Sequence, residues 1–241
     1  MDIKNQRIAL LVDGDNAQSK MMDLVLEEAS KYGKVTIRRV YGDLTTQHMN
    51  HWKSLLNEMA FNPIQKFSYT TGKNSTDSAL IIDAMDILHA DLVDGFCIVS
   101  SDSDYTGLAK RIREAGIFVM GIGEQKTPNA FVKSCEIFTY VENLEPKAEA
   151  PEKKETIKKQ KEKTTSIINT KLIHKAYDMS INESNEAYIS TLGINLRKLD
   201  PSFDVRTYGC KTLTQFFSKL PGFAVVDNVI NGLNNPLIKR K

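Results

Sequence analysis

Apolar and polar positions along the first 145 residues form blocks with two different spacings. Short apolar or β-branched runs predict strands, and stretches with apolar residues three or four positions apart predict helices between them. The predicted strands lie at 7–12, 35–41, 63–67, 96–99, 117–122 and 138–141. The predicted helices carry apolar residues within 22–29, 52–59, 79–88, 108–115 and 130–134. This alternation predicts an α/β fold with a mostly parallel sheet and helices on both faces.

The pattern changes after residue 145. Residues 146–165 are rich in Lys and Glu, contain Pro and have almost no large apolar residues, which is typical of a charged linker. Beyond the linker, the spacing predicts helices at 167–181, 188–199 and 211–220 and a hairpin formed by strands at 223–226 and 237–238. We therefore expect an α/β domain at 1–145, a linker at 146–165 and a small winged helix-turn-helix domain at 166–241.

Acidic residues lie at the carboxyl ends of two predicted strands and at the start of one predicted helix. Asp13-Gly-Asp15-Asn16 follows the first strand, Ser100-Ser-Asp-Ser-Asp104 follows the fourth, and Asp77 opens the helix before the fourth. Because the carboxyl ends of parallel strands lie at one edge of a sheet, these acids are expected to lie close together. Each of them alone is also typical of a helix cap or a solvated turn.

Clustered carboxylates repel one another unless they are protonated or share cations. The joint pattern therefore favours a site for Mg²⁺ or Mn²⁺, which prefer oxygen ligands. The candidate ligands are Asp13, Asp77, Asp102 and Asp104. Asn16, Ser101 and Ser103 are suited to orient these ligands and the metal-bound waters. Asp43, after the second strand, and Asp83, within a helical pattern, are interpreted as loop and solvated helix residues.

A site of this kind suits phosphodiester hydrolysis, in which a metal activates water and stabilises negative charge. The sequence has no Walker-type glycine-rich loop, no G-x-G-x-x-G after the first strand and no histidine near the acidic edge. Lys66, Tyr69 and Lys73 lie in the segment that leads to the Asp77 helix, where a cation and an aromatic ring could hold a nucleic-acid strand. An exposed polar loop is the alternative interpretation of that segment.

The charge of the chain is unevenly distributed. The net charge is +2, but residues 1–145 hold 15 basic and 20 acidic residues, whereas residues 166–241 hold 10 basic and 6 acidic residues. A basic C-terminal half favours a polyanionic partner. The three scattered cysteines predict reduced packing residues. No apolar run is long enough for a membrane span or a signal peptide, so we expect a cytoplasmic protein.

Four segments resemble the NYN domain, a branch of the PIN-like nuclease superfamily that includes the LabA-like bacterial proteins. They are LLVDGDNAQ, KNSTDSALIIDAMDIL, FCIVSSDSDYTGLAKRIREAGIFVMGIG and FVKSCEIFTYVENL. Residues 167–240 resemble the OST-HTH (LOTUS) domain, an RNA-binding winged helix. The resemblance implies a Mg²⁺- or Mn²⁺-dependent ribonuclease in which Asp13, Asn16, Asp77, Asp102 and Asp104 occupy the family's acidic and asparagine positions.

The second resemblance also implies which part of the C-terminal domain faces RNA. The implied positions lie on the third helix and on the tail, at Lys211, Thr212, Gln215, Lys239 and Arg240. A frayed, solvated terminus is the alternative interpretation of the tail.

Two other functions are compatible with the residues. A regulatory RNA-binding adaptor would keep the basic module and have a vestigial acidic edge. A phosphatase of the haloacid dehalogenase type would use Asp13-Gly-Asp15 as nucleophile and acid, although Ala17 stands where that class has Thr or Val. The RNA target, the polarity of cleavage and the oligomeric state stay open at this stage.

Overall fold

The computed structural model describes residues 6–66, 75–145, 168–230 and 233–241. The chain divides into two compact units, with the boundary between Leu144 and Glu145. The predicted linker, 146–165, lies outside the described residues, as do Tyr69 and Lys73. Each unit is described separately below.

A six-stranded parallel sheet forms the centre of the first unit. Its strands are β1 (Arg7–Asp13), β2 (Lys34–Gly42), β3 (Asn62–Gln65), β4 (Gly95–Val99), β5 (Phe118–Gly123) and β6 (Ile137–Tyr140). The strand order is β3-β2-β1-β4-β5-β6, and every pairing is parallel. β1 and β4 are central and buried almost throughout, which explains why their sequences are continuously apolar.

Helices cover both faces of this sheet, as the sequence predicts. They are α1 (Met22–Ser30), α2 (Trp52–Glu58), α3 (Ser75–His89), α4 (Thr106–Glu114) and α5 (Asn129–Ser134). Side chains of β1 alternate between two cores. Leu10 packs with Val25 and Trp52 of α1 and α2, whereas Leu11 packs in the cluster formed by α3, α4 and α5. The two buried clusters therefore hold the sheet between two helical layers.

The second unit combines three helices with short antiparallel strands. Its elements are α6 (Thr170–Asp178), β7 (Glu186–Tyr188), α7 (Ile189–Leu199), α8 (Leu213–Ser218), β8 (Phe223–Val226), β9 (Val229–Ile230), β10 (Leu233–Asn234) and β11 (Leu237–Arg240). β11 lies between β7 and β8 and is antiparallel to both. β9 pairs with β10 beyond the end of β8. Phe216, Phe217 and Phe223 pack edge to face at the centre of the unit's own core.

One element of the second unit differs from the prediction. The sequence places a helix from Tyr188 onward, but Tyr188 ends β7, and α7 begins at Ile189. Ala187 of β7 is fully buried and pairs with Ile238 of β11. Three residues are too few to produce a recognisable alternation, so this strand exists because of its partner, not because of its own pattern.

All three cysteines are buried and unpaired, as expected for packing residues. Burial raises the pKa of Cys135 to about 12 and raises the pKa of Cys97 as well. Burial therefore favours the protonated form of both thiols, as in packing residues. Within the described residues, no helix has the length and apolar character needed to cross a membrane.

Candidate metal centre

The acidic edge is organised around Asp13, the last residue of β1. β1 and β4 are neighbouring parallel strands at the point where the strand order changes direction, and crevices at such points bind ligands in open α/β sheets. Asp13 is completely buried there. Its Oδ2 accepts hydrogen bonds from Asn16 Nδ2 (2.7 Å) and Ser100 Oγ (2.9 Å), and its Oδ1 accepts one from the backbone N–H of Asp15 (3.2 Å).

Burial raises the pKa of Asp13, because removal from water disfavours the charged form. The hydrogen bonds from Asn16 and Ser100 act in the opposite direction, and the negative charges of Asp77 and Asp15 raise the pKa further. Three hydrogen bonds use three of about four acceptor positions on a carboxylate. The hydroxyl of Tyr105 also interacts with this carboxylate, so several neighbouring groups hold Asp13 in place.

Asp77 lies in the first turn of α3 and is half-buried. The hydroxyl of Tyr105 donates a hydrogen bond of 2.7 Å to Asp77 Oδ1. One residue earlier, the hydroxyl of Thr76 donates to Asp15 Oδ2 (2.8 Å). The start of α3 is thus tied to the loop after β1 and to the loop after β4. Burial raises the pKa of Asp77, and the negative charges of Asp102 and Asp104 add to this rise.

Asp102 and Asp104 lie in the loop that follows β4. Asp102 caps the short 3-10 turn Ser103–Tyr105, and its Oδ1 accepts a hydrogen bond from the backbone N–H of Asp104 (2.9 Å). The backbone N–H of Asp102 donates to Ser100 Oγ (3.1 Å), so Ser100 contacts both Asp13 and the loop. Asp102 therefore caps this turn, as an isolated Asp often does, and the cap fixes the direction of its carboxylate.

Three carboxylates converge at this edge. Asp77, Asp102 and Asp104 each offer an oxygen atom, and these atoms lie within 4.8 Å of one another. Asp77 and Asp102 are half-buried, and Asp104 is exposed. Carboxylate oxygens at this separation suit a hard divalent cation, which also removes the repulsion between them. Asp13 is not a member of this group but lies beside it on the buried side, where Asp77 influences its pKa.

Some predicted residues of the site have roles different from those expected. Ser101 Oγ accepts a hydrogen bond from the backbone N–H of Glu124 (2.9 Å), so it holds the end of β5. Ser103 is exposed at the start of the 3-10 turn. Asp43 accepts hydrogen bonds from Thr45 and Gln65, which fits its interpretation as a loop residue.

Sequence reasoning missed three contributors to the site, Ser100, Tyr105 and Thr76. Ser100 is the first polar residue after a fully apolar strand, and Tyr105 follows the acidic motif directly. Both features are visible in the sequence, but neither shows which way the side chain points. Thr76 precedes Asp77 and gives no signal beyond that of a helix start.

The residues predicted to bind RNA are in varied surroundings. Lys66 is exposed directly after β3. Gln215 Oε1 accepts a hydrogen bond from the backbone N–H of Lys211 (2.6 Å), within the turn that begins α8. Lys239 forms an ion pair with Glu186. Arg240 pairs with Asp178 (2.7 Å) and lies over the ring of Tyr177, 4.7 Å from its centroid. Arg240 therefore stabilises the packing of β11 on α6.

The fold and the acidic edge define a parallel α/β protein with a carboxylate centre at the switch point of its sheet. Comparison of the sequence with known families shows that the chain belongs to the NYN domain family, which matches residues 7–143. The OST-HTH/LOTUS domain matches residues 155–234. NYN is a nuclease family.

Among relatives, the chain is 29% identical over 124 residues to an uncharacterized protein of Methanocaldococcus jannaschii, MJ0482. The match covers 49% of this chain and 48% of that protein, so the chain spans about half the length of this relative. Among solved structures, it is similar to VPA0982 of Vibrio parahaemolyticus, a protein of unknown function, with 20% identity and a TM-score of 0.49. That similarity covers 58% of this chain and 94% of VPA0982.

The phosphatase alternative is not supported by this geometry. A phosphatase of the haloacid dehalogenase type needs an exposed nucleophilic carboxylate, whereas Asp13 is fully buried and holds three internal hydrogen bonds. Asp15, the second acid of that motif, accepts a hydrogen bond from Thr76 of α3.

Proposed function

We propose that this protein is a metal-dependent ribonuclease that hydrolyses RNA phosphodiesters and is directed to RNA by its C-terminal domain. The observation that carries the proposal is the convergence of Asp77, Asp102 and Asp104 from two separate elements within 4.8 Å. Membership of the NYN family supports the same reaction. We propose Mg²⁺ or Mn²⁺ as the ion because all candidate ligands are carboxylates, and these ions prefer oxygen ligands.

The residues present fit a divalent cation. Asp77 and Asp102 would hold it from the half-buried side, and we propose that the neighbouring Asp13 contributes to the same site. When bound, such an ion lowers the pKa of a water molecule and stabilises negative charge on the phosphate. The raised pKa values of Asp13 and Asp77 reflect burial and the nearby carboxylates, and a bound cation would oppose both effects.

The remaining side chains position these groups. Tyr105 and Ser100 fix Asp77 and Asp13, so the carboxylates are aligned before substrate arrives. Asp104 is the exposed acid of the three, and we propose that it orients a water molecule and accepts its proton. The hydroxyl of Tyr105 stays protonated, since burial and the neighbouring charges of Asp13 and Asp77 raise its pKa.

A cleavage assay with an Asp102→Asn variant tests the proposal. Asn keeps an oxygen that caps the 3-10 turn but removes the charge. The free energy of unfolding is therefore expected to change by no more than about 1 kcal/mol. Cleavage of a labelled RNA in Mn²⁺ is expected to fall at least about 100-fold, as for loss of one strong electrostatic contribution. EDTA is expected to abolish cleavage by the wild type.

Asp86→Asn is the matched control, because Asp86 is exposed on α3 outside the carboxylate group. This variant is expected to cleave RNA at the wild-type rate. Equal turnover by the Asp102→Asn variant and the wild type would remove the basis for the proposed site. Tight RNA binding without any metal-stimulated cleavage would instead support the adaptor.

A further inference from the structure

A groove opens on the α1 and α2 side of the first unit, close in sequence to Asp13. It encloses about 480 Å³ and is lined by Ala17, Gln18, Ser19, Lys20, His51 and Trp52. The lining comes from the segment that follows the Asp13 loop and from the start of α2. Trp52 is buried and forms an apolar floor, while Lys20 and His51 are exposed at the rim.

The groove adjoins residues that contact Asp13. A narrower cavity is also lined by Ala17 and Gln18, and it extends to Asn16, Ser100 and Ser101. Asn16 donates to Asp13 over 2.7 Å, and Ser100 donates to the same carboxylate over 2.9 Å. The groove therefore begins at Ala17, next in sequence to Asn16, which holds Asp13.

The groove differs from the metal centre in charge. None of its six lining residues is acidic, whereas the neighbouring loops carry Asp15, Asp102 and Asp104. Within the described residues, Lys20 forms no ion pair, and its charge is available to a ligand. Gln18, Ser19 and His51 add neutral hydrogen-bonding groups. Gln18 Nε2 donates to Glu124 of the smaller cavity over 3.3 Å.

We infer that this groove binds the nucleotide next to the bond that is cut, with Lys20 contacting its phosphate. This inference rests on the proposed function and extends it to a substrate contact. A volume of about 480 Å³ lies in the range of small-ligand sites, about 300–1,000 Å³. A phosphodiester strand is repelled by the acidic edge except where cations intervene, so a lysine beside that edge supplies the attraction needed to hold the flanking phosphate.

Binding measurements on the full chain test this contact without any turnover. The probe is a labelled single-stranded oligouridylate of twelve nucleotides, with Ca²⁺ in place of Mg²⁺. For Lys20→Ala, the plot of log affinity against log salt concentration is expected to become shallower by about 0.7, the value for one phosphate contact on a single strand. Lys20→Arg is expected to keep the wild-type slope. Lys53→Ala is the matched control, because Lys53 is an exposed lysine of α2 outside the groove.

Crosslinking gives a second readout that depends on position. A photoreactive benzoylphenylalanine at position 51 is expected to crosslink the oligouridylate, and the same group at position 53 is expected to give only background. Lys20→Glu should reduce the crosslink from position 51. Equal crosslinking from both positions, or an unchanged salt slope for Lys20→Ala, would overturn the inference.

The outcomes separate this inference from the proposed function. If the groove binds RNA but no metal-stimulated cleavage occurs, the nuclease proposal fails and the binding site stands. If cleavage occurs but Lys20 and position 51 show no effect, the groove is not part of the RNA path.

Discussion

The hydroxyl of Tyr105 connects the loop after β4 to the first turn of α3, through its hydrogen bond to Asp77. Replacing Tyr105 by Phe removes this bond and leaves the buried ring packed near Phe131. Side chains that hold a metal ligand in place typically contribute about 10- to 100-fold to metal affinity, so Mn²⁺ affinity is expected to fall by about tenfold or more. Calorimetric titration of Mn²⁺ into both proteins measures this change.

Tyr140→Phe serves as the control for Tyr105→Phe. Tyr140 ends β6, two strands away from β4, and packs against Phe138. Its loss is expected to leave Mn²⁺ affinity unchanged. If Tyr105→Phe also bound Mn²⁺ with wild-type affinity, Tyr105 would have no positioning role.

The sequence predicted the acids of the site better than the residues that hold them. Asp77, Asp102 and Asp104 were expected at one sheet edge because strand ends in a parallel sheet share that edge. Ser101 was expected beside them, but Ser100 occupies that position. Ser100 still donates its backbone N–H to Ile122 in the manner of a strand, so the alternation of sides continues one residue further than the apolar run.

At the scale of elements, α3 is held to β2 by a polar contact that the sequence did not reveal. Asp83 was interpreted as a solvated helix residue, but it accepts hydrogen bonds from Arg39 and from the buried Tyr41. The interpretation was wrong because the helical pattern alone does not show which polar residue faces a polar neighbour on the sheet. Burial and the charge of Asp83 raise the pKa of Tyr41, so its hydroxyl remains a donor.

Asp83→Ala is therefore expected to destabilise the first unit by about 2 kcal/mol or more, because it leaves the buried hydroxyl of Tyr41 without its acceptor. Urea unfolding followed by circular dichroism measures the loss. Asp86→Ala, one turn later on the exposed side of α3, is expected to change stability by less than about 0.5 kcal/mol. Similar losses in the two variants would show that the contact does not stabilise α3.

The starts of β1 and β4 are joined by a second polar contact. Asp94 Oδ2 accepts hydrogen bonds from the backbone N–H of Arg7 (2.8 Å) and from its Nε (3.1 Å). The Arg7 guanidinium and backbone N–H hold the pKa of Asp94 below its usual range. A lowered pKa means that the native state favours the charged carboxylate. The contribution of the Arg7–Asp94 contact to the free energy of unfolding is therefore present above about pH 4 and is lost as the pH falls through the lowered pKa.

Asp94→Asn is accordingly expected to lower the free energy of unfolding at pH 7, and the difference from wild type is expected to close as the pH falls below about 4. Urea unfolding at a series of pH values measures it. Both side chains are largely exposed, so the difference should shrink in high salt. A difference that grew toward acidic pH would contradict the assigned sign.

Element types were predictable wherever a strand was buried on both faces or a helix was long enough to show its period. β1 and β4 gave continuous apolar runs, and α3 and α4 gave apolar residues at helical spacing. β7 was missed because three residues carry no period. The predicted helix at 167–181 is longer than α6 at both ends. At its start, Asn169 caps α6 by accepting a hydrogen bond from the backbone N–H of Leu172 (3.1 Å).

At the scale of the whole molecule, the two units have separate buried clusters. The two clusters of the first unit contain only residues up to Leu144, and the cluster of the second begins at Leu172. A fragment of residues 1–145 is therefore expected to unfold cooperatively by itself and to retain metal-stimulated cleavage. Thermal unfolding and the cleavage assay of the fragment measure both properties.

The same fragment carries a net charge of −5, and residues 166–241 carry +4. RNA binding by the fragment is expected to be weaker than that of the full chain and less steeply dependent on salt, because fewer phosphates are neutralised. An equal salt slope for the fragment and the full chain would show that the C-terminal domain does not contact RNA. The charge asymmetry was readable from the sequence, because it depends on composition and not on side-chain direction.

The position of β11 has a consequence for synthesis of the protein. Residues 237–240 form the middle strand of the second unit's sheet, so that sheet cannot close until residue 240 has left the ribosome. The first unit needs nothing beyond residue 144. At about 5–20 residues per second, the nascent chain spends about 5–20 s with a complete NYN domain and an open C-terminal domain. A newborn molecule of this protein therefore has its carboxylate centre assembled before its second domain can fold.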